Sequence, residues 1–128
     1  MNLKFSDLGL DRPLLNALEA LGHDVPTPIQ VKAIPTILDG RDVIGLAQTG
    51  TGKTGAFALP LLQRLAASGG KPKPNACRAL ILAPTRELVT QIMTSVREYG
   101  SRMKLSATAI VGGVSIRPQK ATMARGVD

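Results

Sequence analysis

The feature that most constrains this sequence is a short loop rich in glycine and threonine, Ala47-Gln48-Thr49-Gly50-Thr51-Gly52-Lys53-Thr54. It follows an apolar run at residues 43–46 and precedes a segment of helical pattern at residues 55–67. This strand, loop and helix context is typical of a P-loop, whose backbone N–H groups and helix N-terminus attract an anion. In such a loop Lys53 reaches the β- and γ-phosphates of a nucleotide, and the Thr54 hydroxyl binds Mg²⁺. The pattern therefore predicts a nucleotide-phosphate site.

One position departs from the general P-loop pattern, because Ala47 stands where the first glycine is usual. The alternative interpretation is a surface turn, rich in Gly and Thr, that ends in Lys-Thr without binding anything.

Length and composition limit the class of protein. A chain of 128 residues suits one domain with one core, and its 44% hydrophobic content is that of a globular protein. Its apolar runs are far shorter than the roughly 20 residues that span a bilayer, and the N-terminus lacks the apolar stretch of a signal peptide. The single cysteine, Cys77, excludes an internal disulfide. We therefore expect a cytoplasmic protein.

The net charge of +7 lies entirely in the second half of the chain. Residues 1–70 carry six basic and six acidic side chains, whereas residues 71–128 carry ten basic and three acidic ones. Such a basic half favours a polyanionic partner, since each phosphate it neutralises releases counterions. Ordinary solubilising charge is the alternative.

Two helices are predicted before the glycine loop. Asp11 can cap a helix over residues 12–21, and Thr27 can cap one that begins at Pro28 and ends near Leu38. Because Gln30 stands three residues after Thr27, the two side chains can form a capping box.

Strands and helices alternate from residue 42 onwards. Strands are predicted at 43–47, 78–83 and 105–111, and the helices between and after them at 55–67, 87–99 and 116–124. Alternation of this kind predicts an α/β fold in which a parallel sheet carries helices on both faces. Ligands bind such folds at the carboxyl ends of the strands, where this chain has Gly, Pro, Thr and Arg.

Three segments in register resemble the motifs of the DEAD-box RNA helicases: Thr27-Pro28-Ile29-Gln30, the glycine loop, and Pro84-Thr85-Arg86-Glu87-Leu88. Their order and spacing fit that family, and the overall look is of its bacterial branch. The resemblance implies a truncated RecA-like P-loop NTPase domain. It divides the chain into a Q-motif helical region, residues 1–40, and part of an ATP-binding domain, residues 41–128.

The resemblance also implies roles for residues that contact the nucleotide. Gln30 matches the glutamine that reads the adenine edge, since an amide donates and accepts at once; its alternative role is the capping box. Phe5 matches an isolated aromatic that stacks on the base, with core packing as the alternative. His23 departs from the family, which usually has Phe or Tyr there, and this affects only a packing contact. The residues that match motif I are Gly50, Thr51, Gly52, Lys53 and Thr54, of which Lys53 and Thr54 are the candidate catalytic pair.

RNA contacts are implied at the ends of the second and third predicted strands. Pro84, Thr85 and Arg86 match motif Ia, which lies along the RNA backbone in the family, and Arg86 suits a phosphate contact. The alternative is a strand-to-helix turn that Thr85 caps. Gly112 and Gly113 match a double-glycine motif where bare backbone lets RNA approach, although Gly-Gly can also be a simple turn.

The acidic residue that ATP hydrolysis needs is missing from the expected position. None of the nine Asp and Glu residues follows a strand-like run, and the Asp-Glu-Ala-Asp sequence that names the family is absent. We therefore expect a fragment of an ATP-dependent RNA helicase that binds ATP and RNA but does not turn ATP over. An open sheet edge in such a fragment would favour self-association.

Two other functions share some of these features. A P-loop nucleotide kinase would contain residues 47–54 but would not explain Gln30 or the Pro84-Thr85-Arg86 turn. A basic RNA-binding module could use the glycine loop to hold a structural phosphate without nucleotide turnover.

Overall fold

The computed structural model describes residues 2–128. A short 3-10 helix, Phe5–Leu8, precedes five α-helices. These are α1 (Arg12–Ala20), α2 (Pro28–Leu38), α3 (Lys53–Ser68), α4 (Arg86–Tyr99) and α5 (Ile116–Ala124). The predicted helices are confirmed, with ends that shift by one or two residues. No helix within residues 2–128 has both the length and the apolar character to cross a membrane.

The helix starts follow from local sequence. Pro28 occupies the first turn of α2, where its missing N–H costs nothing, and Thr27 is the N-cap residue. Asp11 is the N-cap residue of α1, but its side chain makes no capping hydrogen bond. Its backbone N–H instead donates to Gln63 Oε1 of α3 over 2.7 Å.

The parallel sheet predicted from the sequence is absent from residues 2–128. In this range the segments 43–47, 78–83 and 105–111 do not pair with one another, and the only β-bridge is an isolated parallel one between Cys77 and Val127. A ladder needs a neighbouring strand about 4.8 Å away. A short apolar run such as residues 79–83 indicates an extended segment that is buried in a sheet. The run does not by itself provide the neighbouring strand.

The unpaired segments leave large apolar side chains in solvent. Ile44 and Leu46 are 93% and 90% exposed, and Leu80 and Leu82 are 74% and 84% exposed. Each pair is spaced by two residues and therefore lies on one side of an extended backbone. The sequence pattern of a buried strand is thus present without the contacts that bury it.

The core is built by the helices and combines residues from both halves of the chain. Helices α2 and α3 pack most extensively, and α4 lies against α3 and α1. The buried cluster consists of Phe5, Leu8, Leu10, Leu14, Leu18, Ile34, Ala58, Leu59, Leu62 and Tyr99. This packing fixes the first turn of α3, and hence the glycine loop, against the N-terminus of α2.

Candidate functional site

The glycine loop leads directly into helix α3, as a P-loop does. Gly52, the N-cap residue of α3, has φ +83°, and Gly50 has φ +82°. Residues with a Cβ rarely adopt these backbone conformations. Thr51 Oγ1 donates to the Gln48 carbonyl over 2.5 Å and closes the turn. The first backbone N–H groups of α3 have no partner inside the helix. They face the glycine loop and are available there to bind an anion.

Lys53 and Thr54 form the first turn of α3. The Lys53 side chain is exposed, and both residues line a cavity of about 850 Å³. The far wall of that cavity is formed by the unpaired segment Leu80-Ile81-Leu82 and by α4. The cavity is thus open beside the two side chains that the sequence singles out for phosphate and Mg²⁺.

Gln30 connects the N-terminus of α2 to the glycine loop. Its Oε1 accepts from the Thr27 backbone N–H over 3.0 Å, and its Nε2 donates to the Gly52 carbonyl over 3.1 Å. The residue is 7% exposed. Its capping role is therefore confirmed, and the contact with Gly52 is an additional one. One lone pair of Oε1 and one N–H of Nε2 remain for a further partner, such as an adenine base. Recognition of adenine by Gln30 stays a prediction.

Gln30 lies so close to the glycine loop that residues larger than glycine do not fit at two positions. A Cβ at Gly52 would lie 2.5 Å from Gln30 Nε2 and 3.0 Å from Thr27 Oγ1. A Cβ at Gly55, in the first turn of α3, would lie 2.8 Å from Gln30 Nε2 and 3.3 Å from the Tyr99 hydroxyl. Both glycines are needed for close approach of the two helix ends.

Phe5 lies in the core rather than at the site. Its ring is 5% exposed and packs in the central apolar cluster. This position agrees with the core-packing alternative, because an aromatic residue in the turn Phe5–Leu8 buries most area against the helices. Stacking on a base would require the ring to leave that core.

Tyr99 is a residue of the site that the motifs did not indicate. It ends α4, is buried, and contacts the His23 ring edge to face at a centroid distance of 6.4 Å. Burial, with a smaller contribution from the Glu98 charge, raises the pKa of the Tyr99 phenol. The phenol therefore stays neutral at physiological pH, close to Gly55. Its only sequence signal is that it is the sole tyrosine of the chain.

The residues predicted to contact nucleic acid are brought together at one place. Arg86 begins α4, and its Nη1 donates to the Gly112 carbonyl over 3.3 Å. A Cβ at Gly113, which has φ +79°, would lie 2.9 Å from the same nitrogen. Thr85 Oγ1 accepts from the Leu88 N–H over 3.1 Å, so the capping alternative for Thr85 is confirmed. Pro84, which precedes it, is exposed.

Metal ligands are scarce in this region. Residues 2–128 contain no group of three or more His, Cys, Asp or Glu side chains that could hold a metal. Within the same residues, no carboxylate lines the cavity beside Lys53 and Thr54. A Mg²⁺ ion here would take one protein ligand, the Thr54 hydroxyl, and otherwise phosphate oxygens and water, which Mg²⁺ accepts.

Comparisons with known proteins identify the family of this chain. A family model described as DEAD/DEAH box helicase matches residues 27–128. The chain is 46% identical over 125 residues to the pre-mRNA-processing ATP-dependent RNA helicase prp-5 of Neurospora crassa, covering 98% of this chain and 10% of that protein. It is 48% identical over 110 residues to the ATP-dependent RNA helicase DeaD of Escherichia coli K12, covering 85% of this chain and 17% of that protein.

A solved structure is similar throughout. The crystal structure of the RNA helicase Prp28 from Chaetomium thermophilum, bound to ADP, has a TM-score of 0.80 and 42% identity over 96% of this chain and 30% of that one. This similarity supports the RecA-like fold. Fungal and bacterial relatives match at similar identity, so the expected bacterial branch stays a prediction. The chain spans only a small part of these relatives' length.

Proposed function

This chain belongs to the DEAD/DEAH box helicase family, and we propose that it is the ATP-binding and RNA-contacting N-terminal part of an ATP-dependent RNA helicase. The proposal rests on the contact between Gln30 and Gly52. This contact joins the residue that is expected to recognise the adenine base to the glycine loop that is expected to bind the phosphates. In the complete protein, ATP binding and hydrolysis would drive local separation of RNA strands.

The nucleotide would lie with its phosphates at the N-terminus of α3. Residues 50–54 would supply backbone N–H groups, the Lys53 ammonium would neutralise the β- and γ-phosphates, and Thr54 would hold Mg²⁺. The metal, when bound, would neutralise the charge on the phosphates. The ADP in the similar Prp28 structure supports an adenine nucleotide as the ligand.

Hydrolysis by this chain alone is not expected. Water has to be oriented and Mg²⁺ held by an acidic residue near the γ-phosphate, and none of the described carboxylates lines the cavity beside Lys53 and Thr54. We expect binding of ATP without turnover. A helicase-like rate of ATP hydrolysis by the isolated chain would contradict this.

RNA would lie along the ends of the second and third extended segments. The Arg86 guanidinium would contact a phosphate, and the bare backbone of Gly112 and Gly113 would let the sugar-phosphate chain approach. Such contacts carry little sequence specificity.

Two further properties belong to the proposal. The exposed free thiol of Cys77 supports a reducing, cytoplasmic location. The exposed apolar side chains of the unpaired segments support self-association of this chain at high concentration.

Nucleotide binding is tested by titrating Mg-ATP into the wild type and into Lys53→Ala. We expect the variant to bind at least about tenfold more weakly, which is about 1.4 kcal/mol. Lys120→Ala, an exposed lysine on α5, removes the same charge elsewhere and should bind ATP as the wild type does. Equal affinity of all three proteins would sink the proposed phosphate site.

A further inference from the structure

A basic cleft lies where the extended segments 78–83 and 105–111 begin. It has a volume of about 470 Å³, and its charged lining consists of Lys71, Lys104, Arg125 and Asp128. The three basic side chains are exposed and come from three separate parts of the chain. They belong neither to the glycine loop nor to the Arg86 region.

The one acidic residue of the cleft is already engaged. Asp128 Oδ1 forms an ion pair with Arg78 and accepts from its Nε over 2.8 Å, and Oδ2 accepts from the Ser106 backbone N–H over 2.8 Å. Burial works in the opposite direction, but the hydrogen bonds from Ser106 and Arg78 and the Arg78 charge hold the pKa of Asp128 below its ordinary value. The negative charge of Asp128 is therefore neutralised by the positive charge of Arg78.

The three lining cations have no acidic partner in the described part of the chain. The Arg78–Asp128 pair is the only ion pair within residues 2–128. Three like charges around one cleft repel one another, and an anion that enters the cleft relieves this repulsion.

The walls of the cleft are held in place by the backbone. The Asn75 N–H donates to the Met123 carbonyl over 3.1 Å, and the Val127 N–H donates to the Ala76 carbonyl over 3.1 Å. Gly126 has φ +80°, and a Cβ there would collide with the Lys73 carbonyl oxygen. Arg78 also binds the Gly69 carbonyl over 2.8 Å. The loop that carries Lys71 is thus fastened on both sides.

The cleft is remote from the first candidate RNA contact. Arg78 begins the second extended segment and Arg86 follows its far end, so the two ends are separated by about 20 Å at ~3.3 Å per residue. An RNA strand that contacts both places therefore has to extend over at least about 20 Å.

We propose that the cleft formed by Lys71, Lys104 and Arg125 binds phosphates of an RNA backbone, as a second contact beyond the Arg86–Gly113 region. The choice of RNA as the polyanion rests on the proposed function. The contact is electrostatic and reads no bases, because the described lining offers charges to phosphates and no exposed aromatic ring for stacking.

The test measures the salt dependence of binding to a single-stranded RNA of about 24 nucleotides, whose slope falls by about 0.7 for each phosphate that the protein no longer neutralises. The variant is Lys71→Gln/Lys104→Gln/Arg125→Gln. The control is Arg12→Gln/Arg41→Gln/Arg64→Gln, which removes three exposed charges from the first half of the chain. We expect the slope to fall by about two in the cleft variant and to stay near the wild-type value in the control. Equal slopes in the two variants would overturn the proposal.

Two further measurements distinguish a failure of the cleft proposal from a failure of the proposed function. Arg86→Gln tests the first contact independently: if it weakens RNA binding while the cleft variant does not, the cleft proposal fails and the proposed function stands. If Arg86→Gln has no effect, the proposed RNA face fails instead. Titration with inorganic phosphate identifies a site for single anions, and a cleft that binds phosphate but leaves the RNA slope unchanged also overturns the proposal.

Discussion

The side-chain amide of Gln30 donates to the backbone carbonyl of Gly52 over 3.1 Å. Gln30 is at the start of α2, and Gly52 is the residue from which α3 begins. Through this bond the position of the phosphate loop depends on the segment that precedes α2. A nucleotide that contacts either partner therefore affects both.

Gly52→Ala should destabilise the protein by about 2–3 kcal/mol, since a left-handed conformation costs a residue with a Cβ about 1–2 kcal/mol and breaking the hydrogen bond costs about 1 kcal/mol. Gly50→Ala is the matched control, because Gly50 has nearly the same φ but no atom within 4 Å of an added Cβ. It should cost only about 1–2 kcal/mol. Urea unfolding measures both changes. Equal destabilisation would mean that the close approach to Gln30 contributes nothing.

The sequence predicted the parts of this structure that depend on neighbouring residues. Thr27 and Gln30 are three residues apart, and the glycine loop is continuous, so the capping box and the start of α3 follow from local chemistry. The Arg86 and Gly112 motifs were also identified, but their hydrogen bond joins positions 26 residues apart and required the fold.

Other features could not be predicted, because they depend on distant partners. The continuous apolar run of 79–83 indicates a strand but not the strand beside it. Within residues 2–128 no ladder joins the three extended segments, although the similarity to the solved Prp28 structure supports the RecA-like fold. Phe5 was given two roles, base stacking and core packing, and its burial by helices later in the chain could not be read from its spacing. The ion pair between Arg78 and Asp128 spans 50 positions and has no local signal.

Self-association should depend on the exposed apolar side chains of the second extended segment. Leu80→Lys/Leu82→Lys should lower the average mass measured by light scattering towards that of one chain, while changing the free energy of unfolding by no more than about 0.5 kcal/mol. Leu3→Lys/Val25→Lys adds the same charge at exposed apolar positions outside the extended segments and should leave the mass unchanged. A wild-type mass of one chain at high concentration would refute self-association.

The Asp128 carboxylate should stabilise the fold in a pH-dependent way. Its pKa is lower in the folded protein, so its contribution is present above the ordinary carboxyl pKa of about 3.9 and is lost as the pH falls through the lower folded value. Asp128→Asn should cost about 1–3 kcal/mol at neutral pH, and the difference from the wild type should shrink below about pH 4. The exposed Asp24→Asn is the control in urea unfolding. A difference that is unchanged down to the acid transition would argue against an ionised, hydrogen-bonded Asp128.

Adenine recognition by Gln30 is tested most directly by the affinities for ATP and GTP of the wild type, Gln30→Ala and Gln63→Ala. Gln63 is a suitable control because its amide also joins two elements, accepting from Asp11 over 2.7 Å and donating to Gly9 over 2.8 Å, away from the glycine loop. We predict that the wild type prefers ATP by at least about tenfold, or about 1.4 kcal/mol, that Gln30→Ala loses the preference, and that Gln63→Ala keeps it. Equal binding of GTP and ATP by the wild type would contradict adenine recognition by this chain.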